Sequence, residues 1–188
     1  DIPVDNLYAS PIFALDTRHH FADMSKITVI SPDVGGVARA RELAERIDAE
    51  LAIVDKRRPA PGEVSQMTII GEVKNRVCII VDDICDTAGT LVKAVDLLLG
   101  EGAIEVHAYV THGVLSGKAV ERINNSKIKS LVVTDSIEAT ENVKKSSKIR
   151  SVATAPMLAQ AMLNIAHGSS VSSLFDDETL GPIYEAYY

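Results

Sequence analysis

The sequence is poor in aromatic residues and cysteine, and it contains no long apolar run. Aromatic residues make up 4% of the chain and tryptophan is absent, which disfavours recognition of nucleic acids or sugar polymers by stacking. The two cysteines, Cys78 and Cys85, provide neither a disulfide framework nor the spacing of a zinc site, so a cytoplasmic location is expected. No apolar run approaches the ~20 residues of a membrane span, and we expect no signal peptide and no membrane partner.

Charge and length narrow the possibilities further. The net charge of −7 argues against nucleic acid as the main partner. With 188 residues, of which 46% are hydrophobic, the chain can form one domain with a sizeable core. Its first residue is Asp1 rather than methionine, and we expect the chain to be part of a longer protein.

Apolar strands alternate with helical patterns, which predicts an α/β fold with a mostly parallel sheet flanked by helices. Seven segments have the composition of strands: 27–31, 51–54, 67–70, 77–82, 106–111, 130–134 and 150–154. Four segments have the pattern of helices: 36–47, 90–99, 117–124 and 156–166. The acidic and then aromatic tail, 176–188, is expected to be a flexible end or a subunit contact.

The most informative segment, 79–90, reads IIVDDICDTAGT. A buried strand leads into the adjacent carboxylates of Asp82 and Asp83, and a turn at 86–90 then opens a helix. Ligands of open α/β sheets lie beyond the carboxyl ends of the strands, and backbone N–H groups at a helix start bind anions. Carboxylates beside a phosphate need sugar hydroxyls or a divalent metal as partners, so the segment predicts a phosphorylated-sugar site. Alternatively, Asp86 or Thr87 only caps the helix.

A similar motif follows the first strand, where Ser31 and Pro32 lead to Asp33 and then to the paired glycines Gly35 and Gly36. Glycines allow a diphosphate to approach the backbone closely, and Asp33 could hold a metal ion that bridges it. The alternative is a plain glycine turn in which Asp33 caps the next helix.

A charged segment, 55–66, begins with Lys56, Arg57 and Arg58 and also contains prolines. We expect it to form a long mobile loop that closes over the site. Its cations would neutralise charge on phosphoryl oxygens, although basic runs are also typical of a solvated face.

The histidines leave alternatives open. His112 follows a predicted strand and either lines a nucleotide or sugar pocket or is simply packed in the fold. His19, His20 and His107 lack the spacing of metal ligands and are expected at the surface.

Five motifs together resemble the ribose-phosphate pyrophosphokinase (phosphoribosyl diphosphate synthetase) family. They are SPDVGGV from Ser31, DKRRP from Asp55, VDDICDTAGT from Val81, THGVLSG from Thr111 and RINNS from Arg122. The opening IPVDNLY is similar to the start of that family's C-terminal domain. The resemblance implies a type I phosphoribosyltransferase-like fold, with 1–175 as the C-terminal domain of a two-domain enzyme and 176–188 as a tail.

The resemblance also implies a reaction: diphosphate is transferred from ATP to the 1-hydroxyl of ribose 5-phosphate, with Mg²⁺, for nucleotide biosynthesis. The residues that match the family's ribose 5-phosphate site are Asp82, Asp83, Asp86, Thr87, Ala88, Gly89 and Thr90. Those that match its diphosphate loop are Asp33, Val34, Gly35 and Gly36, with Asp33 as the metal ligand. Lys56 and Arg58 match cations that stabilise the transferred group. Asn6, Ser170, Val171 and Ser172 match a regulatory anion site, although the serines could equally cap or turn a helix end.

The family forms its ATP site between two similar domains, and the resemblance therefore implies that this chain alone binds the sugar phosphate without turnover. It also implies a homo-oligomer, a hexamer in the family. Two alternatives stay open. One is a phosphoribosyltransferase, for which no segment that would hold a base is evident. The other is a non-catalytic regulatory subunit, against which the presence of Lys56 and Arg58 argues.

Overall fold

The computed structural model, which describes residues 2, 4–57 and 66–185, contains a seven-stranded sheet. Its strands are β1 (Ile27–Ser31), β2 (Glu50–Arg57), β3 (Gln66–Ile70), β4 (Val77–Cys85), β5 (Glu105–Gly113), β6 (Ser130–Thr134) and β7 (Ile149–Val152). Their order across the sheet is β3-β2-β1-β4-β5-β6-β7. Neighbouring strands are parallel except β2 and β3, which pair antiparallel. The predicted α/β fold with a mostly parallel sheet is confirmed.

Seven α-helices are described. They are α1 (Ser10–His20), α2 (Val37–Arg46), α3 (Gly89–Gly100), α4 (Ala119–Asn125), α5 (Glu141–Lys144), α6 (Ala155–Ala166) and α7 (Asp177–Glu185). The four helices predicted from the sequence correspond to α2, α3, α4 and α6, whereas α1, α5 and α7 were not predicted. Within the described ranges, no helix has the length and apolar character needed to cross a membrane.

The sheet is covered on both faces, and the alternation of side chains along β4 divides the core into two layers. Ile80 packs in the layer that contains the buried residues of α3, α4 and α5. Ile79 and Val81 pack in the other layer, with the buried residues of α1, α2, α6 and α7. Because both faces are buried, the strand reads as a continuous apolar run that ends where the sheet meets solvent.

Two expectations about exposure are corrected by the packing. His107 is buried, with Nδ1 2.7 Å from Oγ of Ser130, so its predicted surface position is wrong, whereas His19 and His20 are exposed as expected. Burial lowers the pKa of His107. Part of the predicted tail is α7, which buries Leu180 and Tyr184 in the core and is therefore a packed helix rather than a flexible end.

Candidate functional site

The two acidic motifs meet at one cavity of about 250 Å³ beyond the carboxyl ends of β1 and β4. Asp33, Asp82 and residues 86–90 all line this first cavity. The meeting follows from topology, because β1 and β4 are neighbours and run parallel, so their carboxyl ends share one edge of the sheet.

The start of α3 has the form of an anion site. The residue before it, Ala88, adopts a left-handed conformation with φ 59°, and none of the described side chains caps the helix there. The expected alternative, in which Asp86 or Thr87 caps α3, is therefore not observed. The first N–H groups of a helix have no partner within it, and Gly89, Thr90 and Leu91 line the first cavity. A phosphate in the cavity would complete the missing cap.

The turn at 86–90 is held from outside by the segment that follows β5. The guanidinium of Arg122 donates to the carbonyl oxygen of Thr87 over 2.7 Å. Ser116 donates its backbone N–H to the carbonyl oxygen of Asp86 over 3.0 Å and its hydroxyl to the Asp86 carboxylate. Ser116 and Arg122 lie in two motifs that carried the family resemblance, but sequence reasoning assigned them no role.

Asp82 and Asp83, the acid pair, share one cation that the sequence analysis missed. Nη1 of Arg39 lies 3.3 Å from Oδ1 of Asp82, and Nη2 lies 2.7 Å from Oδ2 of Asp83. The backbone N–H of Asp83 also donates to Oδ1 of Asp82 over 2.9 Å. Asp82 lines the first cavity, whereas Asp83 and Arg39 line a second cavity of about 260 Å³.

The two carboxyl groups of the acid pair have different electrostatics. Burial, reinforced by the neighbouring Asp83, raises the pKa of Asp82 to about 6 against the opposing effect of an amide and Arg39. Burial also acts to raise the pKa of Asp83. A side-chain hydrogen bond with Asp82, the Arg39 guanidinium and nearby amides outweigh burial, and together they lower the pKa of Asp83. At pH 7 both groups are therefore mainly ionised and can accept hydrogen bonds from hydroxyls.

The loop after β1 is close-packed around its glycines. Oδ1 of Asp33 accepts the backbone N–H of Gly36 over 2.9 Å, and the Ser31 hydroxyl donates to the Asp33 carbonyl oxygen over 2.6 Å. A Cβ on Gly36 would lie 3.0 Å from Oγ of Ser31, so alanine would fit there only if the buried Ser31 hydroxyl moved. The N–H of Gly36 is occupied by Asp33 and is not available to a diphosphate in this conformation.

No group of three or more metal-ligating side chains is present within residues 2, 4–57 and 66–185. This arrangement still fits Mg²⁺, which is commonly held by one or two carboxylates together with water and substrate phosphates. Asp33 lines the first cavity and has an exposed side chain, so it can provide one such carboxylate.

The remaining predicted site residues lie away from the first cavity or outside the described residues. Lys56 is near the end of β2, but its side chain, like the whole of Arg58, lies outside the described residues. Asn6 and His112 line the second cavity beside Asp83. Residues 170–172 instead follow α6, where the carbonyl oxygen of Ser170 accepts from Asn164 over 2.8 Å.

Several known proteins are similar to this chain in sequence or in fold. The family described as phosphoribosyl synthetase-associated domain matches residues 55–176. A ribose-phosphate pyrophosphokinase of Cereibacter sphaeroides is 64% identical over 189 residues, covering 100% of this chain and 56% of that protein. One from Bradyrhizobium diazoefficiens is 57% identical over 176 residues, covering 94% of this chain and 55% of that protein.

The crystal structure of a phosphoribosylpyrophosphate synthetase from Mycobacterium smegmatis superimposes on this chain with a TM-score of 0.81 at 32% identity. The match covers 90% of this chain and 54% of that one. The chain spans about half the length of the curated relatives it matches. Because the family match covers most of its residues, the chain belongs to the phosphoribosyl synthetase-associated domain family.

Proposed function

We propose that the protein containing this chain transfers diphosphate from ATP to the 1-hydroxyl of ribose 5-phosphate, yielding 5-phosphoribosyl 1-diphosphate and AMP. The observation that carries the proposal is the first cavity, in which the start of α3 lies beside the Asp82 carboxylate, the member of the acid pair that lines this cavity. A ligand that suits both ends must carry a phosphate and hydroxyl groups, as ribose 5-phosphate does. The relatives that bear the name ribose-phosphate pyrophosphokinase support the same activity.

In this proposal the sugar phosphate is held from both ends. The N–H groups at 86–90 and the first turn of α3 bind the 5-phosphate, which takes the position of the missing cap. The ionised acid pair accepts hydrogen bonds from the ribose hydroxyls. Repulsion between the carboxylates and the phosphate disfavours the reversed orientation, so the 1-hydroxyl is presented away from the turn.

Transfer requires the 1-hydroxyl oxygen to bond the β-phosphorus of ATP while the bond to the oxygen of the departing AMP breaks, and the hydroxyl proton is released. Mg²⁺, when bound by Asp33 and the phosphates, supplies charge neutralisation. We assign the loop 33–36 to the diphosphate and Lys56 and Arg58 to its charged oxygens. Such a reaction depends mainly on positioning and on neutralising phosphoryl charge.

From the family resemblance we also propose a domain arrangement, an oligomeric state and a regulatory site for the whole enzyme. Residues 1–175 would be the C-terminal, phosphoribosyltransferase-type domain of a two-domain enzyme that acts as a homo-oligomer, with Asn6 and 170–172 contributing to a regulatory anion site. The two cysteines, Cys78 and Cys85, are free and buried, as suits a protein of the reducing cytoplasm.

The proposal is tested by calorimetric titration of the 188-residue chain with ribose 5-phosphate and, separately, with ATP, each in the presence of Mg²⁺. We expect the sugar phosphate to bind and ATP to bind weakly or not at all. Unphosphorylated ribose is the matched ligand, and it should bind far more weakly because it lacks the group that caps α3. A folded chain that does not bind ribose 5-phosphate would contradict the proposal. Nucleotide formation from phosphoribosyl diphosphate and a free base would favour a phosphoribosyltransferase instead.

A further inference from the structure

Arg39 lies between the loop after β1 and the acid pair, and it lines the second cavity. It belongs to the first turn of α2, directly after the loop 33–36, and it reaches the acid pair at the end of β4. A Cβ placed on Gly36 would lie 3.5 Å from Nη1 of Arg39. The guanidinium therefore lies against the loop after β1 and against both carboxylates at once.

We infer that Arg39 is a positioning residue, which holds Asp82 and Asp83 in the orientation that accepts the hydroxyls of ribose 5-phosphate. The inference rests on the proposed function and deepens it. Successive residues of a strand point to opposite faces, and the acid pair is accordingly divided between the first and second cavities. Two ionised carboxylates on consecutive residues repel each other, so they need a shared cation to stay in one arrangement.

The geometry requires arginine in particular. Its planar, forked guanidinium presents separate N–H groups in fixed directions, and here Nη1 faces Asp82 while Nη2 faces Asp83. Arg39 contacts one oxygen of each carboxylate, Oδ1 of Asp82 and Oδ2 of Asp83. A lysine ammonium carries the same charge at a single point and cannot fix both carboxylates in the same way.

Partial burial separates this contact from an ordinary surface ion pair. The side chains of Arg39 and Asp82 are 32% and 31% exposed, whereas that of Asp83 is 56% exposed. The ion pair with Asp82 is therefore screened less than a fully exposed pair, and the ion pair with Asp83 is screened more. The contact also joins residues 43 and 44 positions apart in sequence. It therefore links α2 to β4 at the site rather than stabilising one helix.

The experiment compares Arg39→Ala and Arg39→Lys with the wild-type chain by calorimetric titration with ribose 5-phosphate and with inorganic phosphate. Arg41→Ala is the matched control, because Arg41 lies on the same helix with its side chain exposed. We expect Arg39→Ala to weaken ribose 5-phosphate binding about tenfold. Phosphate, which uses only the turn at 86–90, should lose less than about twofold. Arg39→Lys should fall between wild type and alanine, and Arg41→Ala should bind as wild type does.

Each of the other possible outcomes contradicts either the positioning role of Arg39 or the proposed function. If Arg39→Ala binds ribose 5-phosphate as tightly as wild type, the positioning role is wrong while the proposed function stands. Equal losses for the sugar phosphate and for phosphate would reveal general damage to the cavity and overturn the role as well. If the wild-type chain binds phosphate but not ribose 5-phosphate, the proposed function itself falls. If Arg39→Ala does not fold, the test rests on Arg39→Lys. Ribose 5-phosphate binding by Arg39→Lys as tight as by the wild-type chain would then show that the forked guanidinium is not required, and the inference would be wrong.

Discussion

Replacing Asp82 with asparagine should make the protein more stable at neutral and higher pH while weakening its ligand site. Burial raises the pKa of Asp82 from the ordinary 3.8 to about 6. Because the folded state binds the proton more tightly than the unfolded state, stability is greatest below the unfolded pKa and decreases as the pH rises through about 6. Asparagine keeps the shape of the side chain and an acceptor for Arg39, but it carries no buried charge.

The magnitude follows from the size of the shift. One pKa unit corresponds to about 1.4 kcal/mol, so the shift sets an upper limit of roughly 3 kcal/mol. The side chain is 31% exposed, and solvent screening reduces the expected effect to about 1 to 2 kcal/mol at pH 8. At pH 4.5, where much of wild-type Asp82 is protonated in the folded state, about a third of that difference should be present.

The assay is urea denaturation of the wild-type chain and of Asp82→Asn at pH 4.5 and pH 8. The difference between the two chains at each pH cancels the titration of groups that they share. Asp96→Asn is the control, because it removes a carboxylate from an exposed position on α3 and should change stability by less than about 0.5 kcal/mol. The reasoning would be refuted if Asp82→Asn were less stable than wild type at pH 8. It would also be refuted if the difference in the free energy of unfolding between the two chains were the same at both pH values.

Three further predictions concern the backbone, the core and the thiols. Gly36→Ala should cost about 1 kcal/mol because its Cβ would press on Oγ of Ser31, which is buried and held by its hydrogen bond to Asp33. Gly100→Ala, which meets open space at the end of α3, should stabilise by about 0.5 kcal/mol. Equal effects of the two substitutions in denaturation would contradict the packing. Leu180→Ala in α7 should cost about 3 kcal/mol because Leu180 is fully buried; a loss below about 1 kcal/mol would mean that the helix does not pack as described. Burial raises the pKa of Cys85 to about 11, so iodoacetamide at pH 8 should modify it only after unfolding, and fast labelling of the folded chain would oppose this.

The sheet was predictable because buried parallel strands have a local signature. The apolar runs at 27–31 and 130–134 are confirmed without a change of bounds, and the others differ by a few residues at their ends. Helix α1 was missed because it has no single apolar face: Asp16 and Thr17 are buried along with Ile12 and Phe13. Burial of Asp16 depends on Tyr109 and Arg150, which donate to its carboxylate from distant strands. A polar residue with distant partners gives no sign of burial in its own segment.

The placement of the candidate site was predictable for a related reason. Parallel strands that end in acidic residues must present them at the same edge of the sheet, and Asp33, Asp82 and the turn at 86–90 do line one cavity. The residues that hold this arrangement were not predictable. Arg39 and Arg122 contact groups 43 and 35 positions away, and only the fold shows which distant arginine reaches which carboxylate or carbonyl oxygen.

Several features of this cavity are unfavourable for the fold by itself. Ala88 adopts a left-handed conformation that costs a non-glycine residue about 1 kcal/mol. In the part of the chain that the structure describes, α3 begins without a side-chain cap, and Asp82 is ionised in a partly buried position at neutral pH. Packing alone does not explain why three such features occur together. Local conflicts of this kind concentrate where a ligand binds, so a ligand site would account for all three. A bound phosphate would cap α3, and hydroxyl groups would solvate Asp82. The ligand that removes the most of this cost is therefore one that carries both groups on a single small molecule.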